Sequence, residues 1–121
     1  MLPAAHRMRR SADFQQTVRR GARGGRPTLV VHVTTTTDPG PPVVGLVVSR
    51  AVGIAVVRNR VRRRLREVVR ARLDALPAGT RVVVRAQPAA AEATFARLQA
   101  DVDAALDRAL RRATPVGQVV P

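Results

Sequence analysis

Between Arg58 and Arg66 the chain sets six arginines in nine residues while keeping apolar side chains in step, with Val57, Val61 and Leu65 standing four apart. Val68, Val69 and Leu73 extend the series at the spacing of one face of an α-helix. Such a stripe must be buried, so the helix needs a sheet or another helix to lie on. Arg58, Arg62 and Arg66 flank the stripe, Arg60, Arg63 and Arg70 lie further round, and only Glu67 interrupts the positive charge. A solvated helix face usually mixes signs so that residues four apart attract. Here like charges stand four apart and repel, an arrangement that an external polyanion relieves.

The charge of the whole chain points the same way. It has 22 basic residues, all arginine, against 8 acidic ones, a net +14 on 121 residues. Guanidinium makes planar, paired contacts with phosphate and stacks on bases. From Arg50 to Arg72 nine arginines meet one acid, whereas from Ala86 to Ala113 four are balanced by Glu92, Asp101, Asp103 and Asp107. One side is therefore expected to bind and the other to be solvated. There is no cysteine, which excludes disulfides and thiolate metal sites. The N-terminus lacks an apolar core of signal-peptide length, and no run approaches the ~20 apolar residues of a membrane span. A cytoplasmic protein with no membrane partner is expected. A nuclease centre of its own would need clustered carboxylates or histidines to hold metal. Asp13, Asp38 and Glu67 are scattered and the later acids alternate with arginine, so no catalytic residue and no directly bound metal is expected. A DNA-reading helix would carry mixed polar side chains for base edges; an almost pure arginine face reads phosphate and shape.

Length and a 45% hydrophobic content fit one domain, over residues 1–113, that buries something over ~60% of its unfolded surface. Ser11 is placed to cap a first helix, with Asp13 in its first turn and Phe14 and Val18 facing inward. Residues 21–27 read as a flexible basic loop, Thr28 to Thr35 as a β-branched strand, and Asp38 to Pro42 as a turn. Val43 to Ser49 is almost continuously apolar and reads as a central strand buried on both faces. The arginine helix opens at Gly53 and runs to about Leu76. Thr80 to Arg85 makes another strand. A last helix from about Ala90 to Arg112 turns Phe95, Leu98, Val102, Ala105, Leu106 and Ala109 inward, and 114–121 reads as a flexible tail. The order α-β-β-α-β-α, with a further short strand possible, predicts an α+β fold in which helices pack on a small sheet.

The segment Gly45-Leu46-Val47-Val48-Ser49-Arg50, followed by Val52-Gly53, Ala55-Val56-Val57-Arg58-Asn59-Arg60 and residues 62–67, resembles the strand, loop and helix with an Arg-Asn-Arg motif of the bacterial ribonuclease P protein subunit. Leu2-Pro3, His6 to Arg10, Asp13-Phe14 and Arg85 to Pro88 agree in order and spacing. That resemblance implies a left-handed strand-helix-strand crossover, against the usual hand. It also implies a subunit without a catalytic centre of its own. A large RNA would carry out the magnesium-dependent removal of the 5′ leader from precursor tRNA, and no obligate protein partner would be needed. Carried over, Arg50, Arg58, Asn59, Arg60, Arg62, Arg63, Arg64 and Arg66 would face the catalytic RNA. Phe14, Val18, Val30 and His32 would line a cleft for the leader. Arg7, Arg9, Arg10, Arg23 and Arg26 would brace RNA from the N-terminal arm and the basic loop, and His6 would be a solvent residue. The chain departs from the family in that cleft. Val18 and His32 stand where aromatics are frequent, so the leader would be held more by shape and arginine than by rings. Ala51 replaces a usual cation beside Arg50. A non-catalytic RNA-binding assembly factor or ribosomal-type protein is the alternative that the same charge would serve.

Overall fold

Alternation along the strands decides which side of the sheet is covered by what. The computed structural model describes residues 2 and 4–113; Met1, Pro3 and 114–121, where the tail was expected, lie outside the described residues. Its strands are β1 (Ala22–Arg26), β2 (Leu29–Thr35), β3 (Val43–Val47) and β4 (Thr80–Ala86), and its helices are α1 (Ser11–Arg20), α2 (Ala55–Arg70) and α3 (Phe95–Arg112). The sheet order is β1-β2-β4-β3. β1 and β4 flank β2 antiparallel, while β3 runs parallel to β4 and reaches it through α2. The expected α+β architecture is present, with one strand more than its main pattern.

On one face Leu29, Val31 and Val33 of β2, Val82 and Val84 of β4 and Val44 of β3 form a single core. Val61, Leu65, Val68 and Val69 of α2 close it, with Leu98, Val102, Ala105, Leu106 and Ala109 of α3. The stripe read from the arginine helix is thus the buried one. Removing such surface from water contributes on the order of 25 cal/mol per Å² of apolar area, which lets α2 tolerate its own charge. On the other face α1 lies across β2 and β4. There Thr17 is fully buried and its hydroxyl lies 3.3 Å from that of Thr34.

Several boundaries differ from the sequence reading, each for a packing reason. Residues 21–27 are not a flexible loop: Ala22–Arg26 is an edge strand paired with β2 from Ala22↔Val33 to Arg26↔Leu29. α3 crosses this strand so closely that a Cβ on Gly24 would strike the carbonyl of Ala105. β3 is not central. It is the opposite edge of the sheet, and its free side is met by the N-terminal segment, where Arg7 bridges Val44 and Met8 N–H donates to the Val44 carbonyl at 2.9 Å. Ser11 is the first residue of α1, not its cap, and Arg10 at the cap position supplies no side-chain hydrogen bond. α2 ends at Arg70, before a separate 3-10 turn at Leu73–Ala75. α3 begins only at Phe95, because the Thr94 hydroxyl accepts from the Arg97 N–H at 3.1 Å; Pro88–Ala91 before it is a 3-10 turn. Phe95 keeps the phase of the inner stripe but lies outside the core and is 41% exposed. Among the described residues no helix is long and apolar enough to cross a membrane.

Candidate nucleic-acid interface

Four of the eight acidic residues, Asp13, Asp101, Asp103 and Asp107, are paired with arginines outside α2. Arg72 reaches across to α3, donating to Asp103 at 2.9 Å and to Asp107 at 2.5 Å. Asp101 was expected on a solvated face and is instead buried. It accepts from the Thr28 hydroxyl at 2.6 Å, Arg97 at 3.1 Å and Arg26 at 3.3 Å. Burial pushes its pKa up, but these three donors outweigh burial and leave it below the ordinary carboxylate value. Arg81 pairs with Asp13 at 3.4 Å. Among the described residues no acid forms a salt bridge with Arg58, Arg60, Arg62, Arg63, Arg64, Arg66 or Arg70.

Helical geometry sorts those arginines into three sets. Arg60 and Arg64, four apart, turn toward the segment that precedes α3: Arg60 Nη2 donates to the Ala91 carbonyl at 3.1 Å and Arg64 Nη1 to that of Ala93 at 2.9 Å. On the opposite flank Arg62 and Arg66, also four apart, form one wall of a cleft of about 290 Å³. Between the flanks Asn59 and Arg63 are exposed to solvent, as is Arg50 in the loop before the helix. Arg62 donates to the Asn59 side-chain oxygen at 3.0 Å, so the polar residue of the Arg-Asn-Arg triplet steers an arginine toward that cleft. Arg58 is half-buried, and its Nε has no partner.

The cleft wraps the free edge of β3. Its other walls are Phe14 of α1, Val44, Gly45 and Leu46 of β3, and Leu2, Arg7 and Met8 of the N-terminal segment. Gly45 has a steric purpose. A Cβ at this position would overlap the Phe14 ring, lying 3.1 Å from Cδ1 and closer still to Cε1 and Cζ. The site therefore joins an apolar floor to three guanidiniums, a combination that suits a nucleotide with both base and phosphate.

The four residues expected to line the leader cleft are divided. Phe14 stands in the β3-edge cleft, whereas Val18, Val30 and His32 are not among its walls. Val18 is half-buried; Val30 and His32 lie on the α1 face of β2, 5% and 3% exposed. Neither His32 nitrogen has a hydrogen-bond partner. Burial, reinforced by Arg85 and Arg23, lowers its pKa from 6.5 to about 4, so it is a neutral ring at physiological pH. Of the auxiliary arginines, Arg7 is on the cleft and donates to the Leu2 carbonyl at 2.9 Å, Arg9 and Arg10 are exposed, Arg23 is exposed on β1, and Arg26 is committed to Asp101. His6 is held, not free in solvent: its Nδ1 lies 2.7 Å from the Pro42 carbonyl. The sequence reading missed Leu2, Met8, Val44, Gly45 and Leu46 as cleft walls. A glycine inside an apolar strand was the one available signal, since it marks close approach of another group. Among the described residues no three of His, Cys, Asp or Glu gather where they could hold a metal ion.

Comparison with known proteins shows relatives of the whole chain. The family model described as Ribonuclease P matches residues 2–110. The chain is 56% identical over 118 residues to the ribonuclease P protein component of Streptomyces bikiniensis, covering 91% of this chain and 96% of that protein. It is 58% identical over 106 residues to that of Beutenbergia cavernae, covering 88% and 89%. The fold is similar to the ribonuclease P protein of Staphylococcus aureus, with a TM-score of 0.75 at 26% identity over 89% of this chain and 94% of that one. It is also similar to the Thermotoga maritima ribonuclease P protein in complex with 1-(4-fluorophenyl)-2-thiourea, with a TM-score of 0.72 at 25% identity over 87% and 98%.

Proposed function

The chain belongs to the ribonuclease P protein family, and from that premise we propose how it serves 5′ processing of tRNA. The outward face of α2 binds the ribonuclease P RNA, and the cleft at the edge of β3 receives the 5′ leader of precursor tRNA. The observation that carries this reading is that seven arginines of α2 have no salt-bridged acid among the described residues, although acids are present and paired elsewhere. Left alone they repel one another; phosphates relieve that repulsion and release counterions as they bind.

Hydrolysis of the leader is assigned to the RNA, with no catalytic side chain in this chain. Magnesium ions would be held by RNA phosphates that the arginines draw together, so the protein acts on metal demand only indirectly. Within the cleft Arg62, Arg66 and Arg7 would engage leader phosphates while Phe14 meets a base. Neutral His32, buried behind, shapes the sheet without donating charge. The protein would work in the cytoplasm with RNA as its sole obligate partner.

Cleavage of a precursor tRNA by bacterial ribonuclease P RNA at low magnesium, with and without this protein, tests the proposal. Leader removal should appear only with protein present. Tight RNA binding without any rescue of cleavage would overturn it and favour an RNA-binding assembly factor.

A further inference from the structure

Among the described residues three large apolar side chains are exposed: Ile54 at 72%, Val56 at 71% and Phe95 at 41%. Phe95 is one of only two aromatic residues in the chain. The other, Phe14, already belongs to the β3-edge cleft on the far flank of α2. In a protein so poor in rings, one left partly open to water calls for a partner.

The backbone that carries Phe95 is fixed at several points. Two residues before it the Ala93 carbonyl accepts from Arg64, and two residues further back the Ala91 carbonyl accepts from Arg60. Directly before it the Thr94 hydroxyl holds the Arg97 N–H, which starts α3. The residue on this fixed backbone is 41% exposed, so a large part of its side chain remains accessible. It therefore stands as a rigid apolar surface beside the flank of α2 that bears Arg60 and Arg64. Each of these guanidiniums has a single hydrogen bond to the protein, leaving further N–H groups on both for an outside acceptor.

A partner for this surface must offer a flat apolar face and negative charge within one residue-length of each other. An unpaired nucleotide does both, with the base for the ring and the phosphate for the arginines. An acidic peptide would satisfy the charge, but continuity with the cationic face of α2 favours RNA. We propose that Phe95 is a stacking platform for an unpaired base of the RNA bound along α2, on the flank opposite the Phe14 cleft. The proposal rests on the reading that α2 binds the ribonuclease P RNA. It gives that RNA a second, aromatic contact that requires an unstacked nucleotide at the margin of the α2 footprint.

The chain has no tryptophan, so Phe95→Trp introduces a single reporter. Titration of the full-length Phe95→Trp protein with ribonuclease P RNA should quench its fluorescence, with the same midpoint as binding measured by filter retention. Phe95→Leu keeps apolar volume and removes the ring; it should weaken RNA binding by about 5- to 100-fold, the range expected for one base stacked on an aromatic. Its melting temperature should stay near that of the parent, and the salt dependence should keep its slope because no phosphate contact is lost. Undiminished indole fluorescence in a saturated complex of the Phe95→Trp protein, together with parental affinity for Phe95→Leu, would overturn the stacking proposal and leave the α2 reading standing. Failure of the parent protein itself to bind the RNA would overturn both.

Discussion

Gly45→Ala is the sharpest single test of how the cleft is built. The added methyl carbon would lie 3.1 Å from Phe14 Cδ1 and nearer to Cε1 and Cζ, whereas carbon atoms rest at about 3.5–4.0 Å. The ring must withdraw by about 1 Å or more, off its rotamer or off the sheet. Overpacking of this kind typically costs about 1–3 kcal/mol, or roughly 4–12 °C in melting temperature for a domain of this size. Phe14→Ala removes the obstacle and loses the packing of a half-buried ring. The double variant should consequently be more stable than the two single losses would give by addition, with a coupling of about 1 kcal/mol or more between the sites. Thermal or urea unfolding of the four proteins supplies the cycle. Cleavage of leader-bearing precursor in competition with mature tRNA supplies the functional half, in which both single variants should lose preference for the precursor. Losses that add to within about 0.5 kcal/mol, with precursor preference intact in Gly45→Ala, would refute the reasoning that Gly45 seats Phe14 in the leader site.

Three other outcomes are expected. His32 is neutral when folded, with a pKa near 4 against 6.5 for the free side chain; as pH falls from 6.5 toward 4 the unfolded chain takes up a proton that the folded chain refuses, so stability declines with acid. The decline is at most about 3 kcal/mol, and His32→Phe should flatten it in urea unfolding measured across that window. Asp101 has the depressed pKa of a carboxylate held by donors, so its contribution is present above the ordinary value of 3.8 and is lost as pH falls below it through the folded value. Asp101→Asn should cost about 1–3 kcal/mol at neutral pH and weaken the acid dependence below 4, and an unchanged urea midpoint would contradict the buried network. Affinity for the RNA should fall by ~10³ or more between 50 and 200 mM salt if six or more phosphates are contacted. Arg63→Ala should reduce the logarithmic salt slope by about 1 while Arg72→Ala, engaged with Asp103 and Asp107, leaves it unchanged.

The parts legible in the sequence are those written in a single local period. The four-residue spacing of Val57, Val61 and Leu65 marked the buried side of α2, and the β-branched runs at 28–35 and 80–85 marked β2 and β4 to within a residue. What escaped was set by neighbours distant in sequence. Arg23-Gly24-Gly25-Arg26 has the composition of a loop and becomes β1 because β2 offers it a ladder and Gly24 lets α3 pass close over it. Val43 to Ser49 reads as central because it is almost continuously apolar, yet β3 is an edge whose two faces meet the core and Phe14 and whose open side is bridged by the N-terminal segment. The site was legible as a set of arginines but not as three groups. Only the placement of α3 turns Arg60 and Arg64 toward carbonyls, and only the β3 edge brings Arg62 and Arg66 to Phe14. His32 was placed on the correct strand, but the depth of its burial depends on α1 and could not be read from alternation alone.

The hydrogen bond from Met8 to Val44 has a consequence for vectorial synthesis. Residues 7 and 8 leave the ribosome early, but their acceptor on β3 emerges only after the first hairpin is complete. β4, the other neighbour of β3, is made about 40 residues later still, an interval of roughly 2–8 s at ~5–20 residues per second. During that interval the N-terminal segment is, among the described residues, the hydrogen-bonding neighbour of β3 already synthesised, and it occupies the side opposite β4. A chain without the Met8 to Val44 contact would carry β3 through those seconds with both ladders open, the state in which unpaired strand edges are prone to aggregate. Residues 7 and 8 thus cover, ahead of β4, an edge of β3 that no other strand among the described residues pairs with.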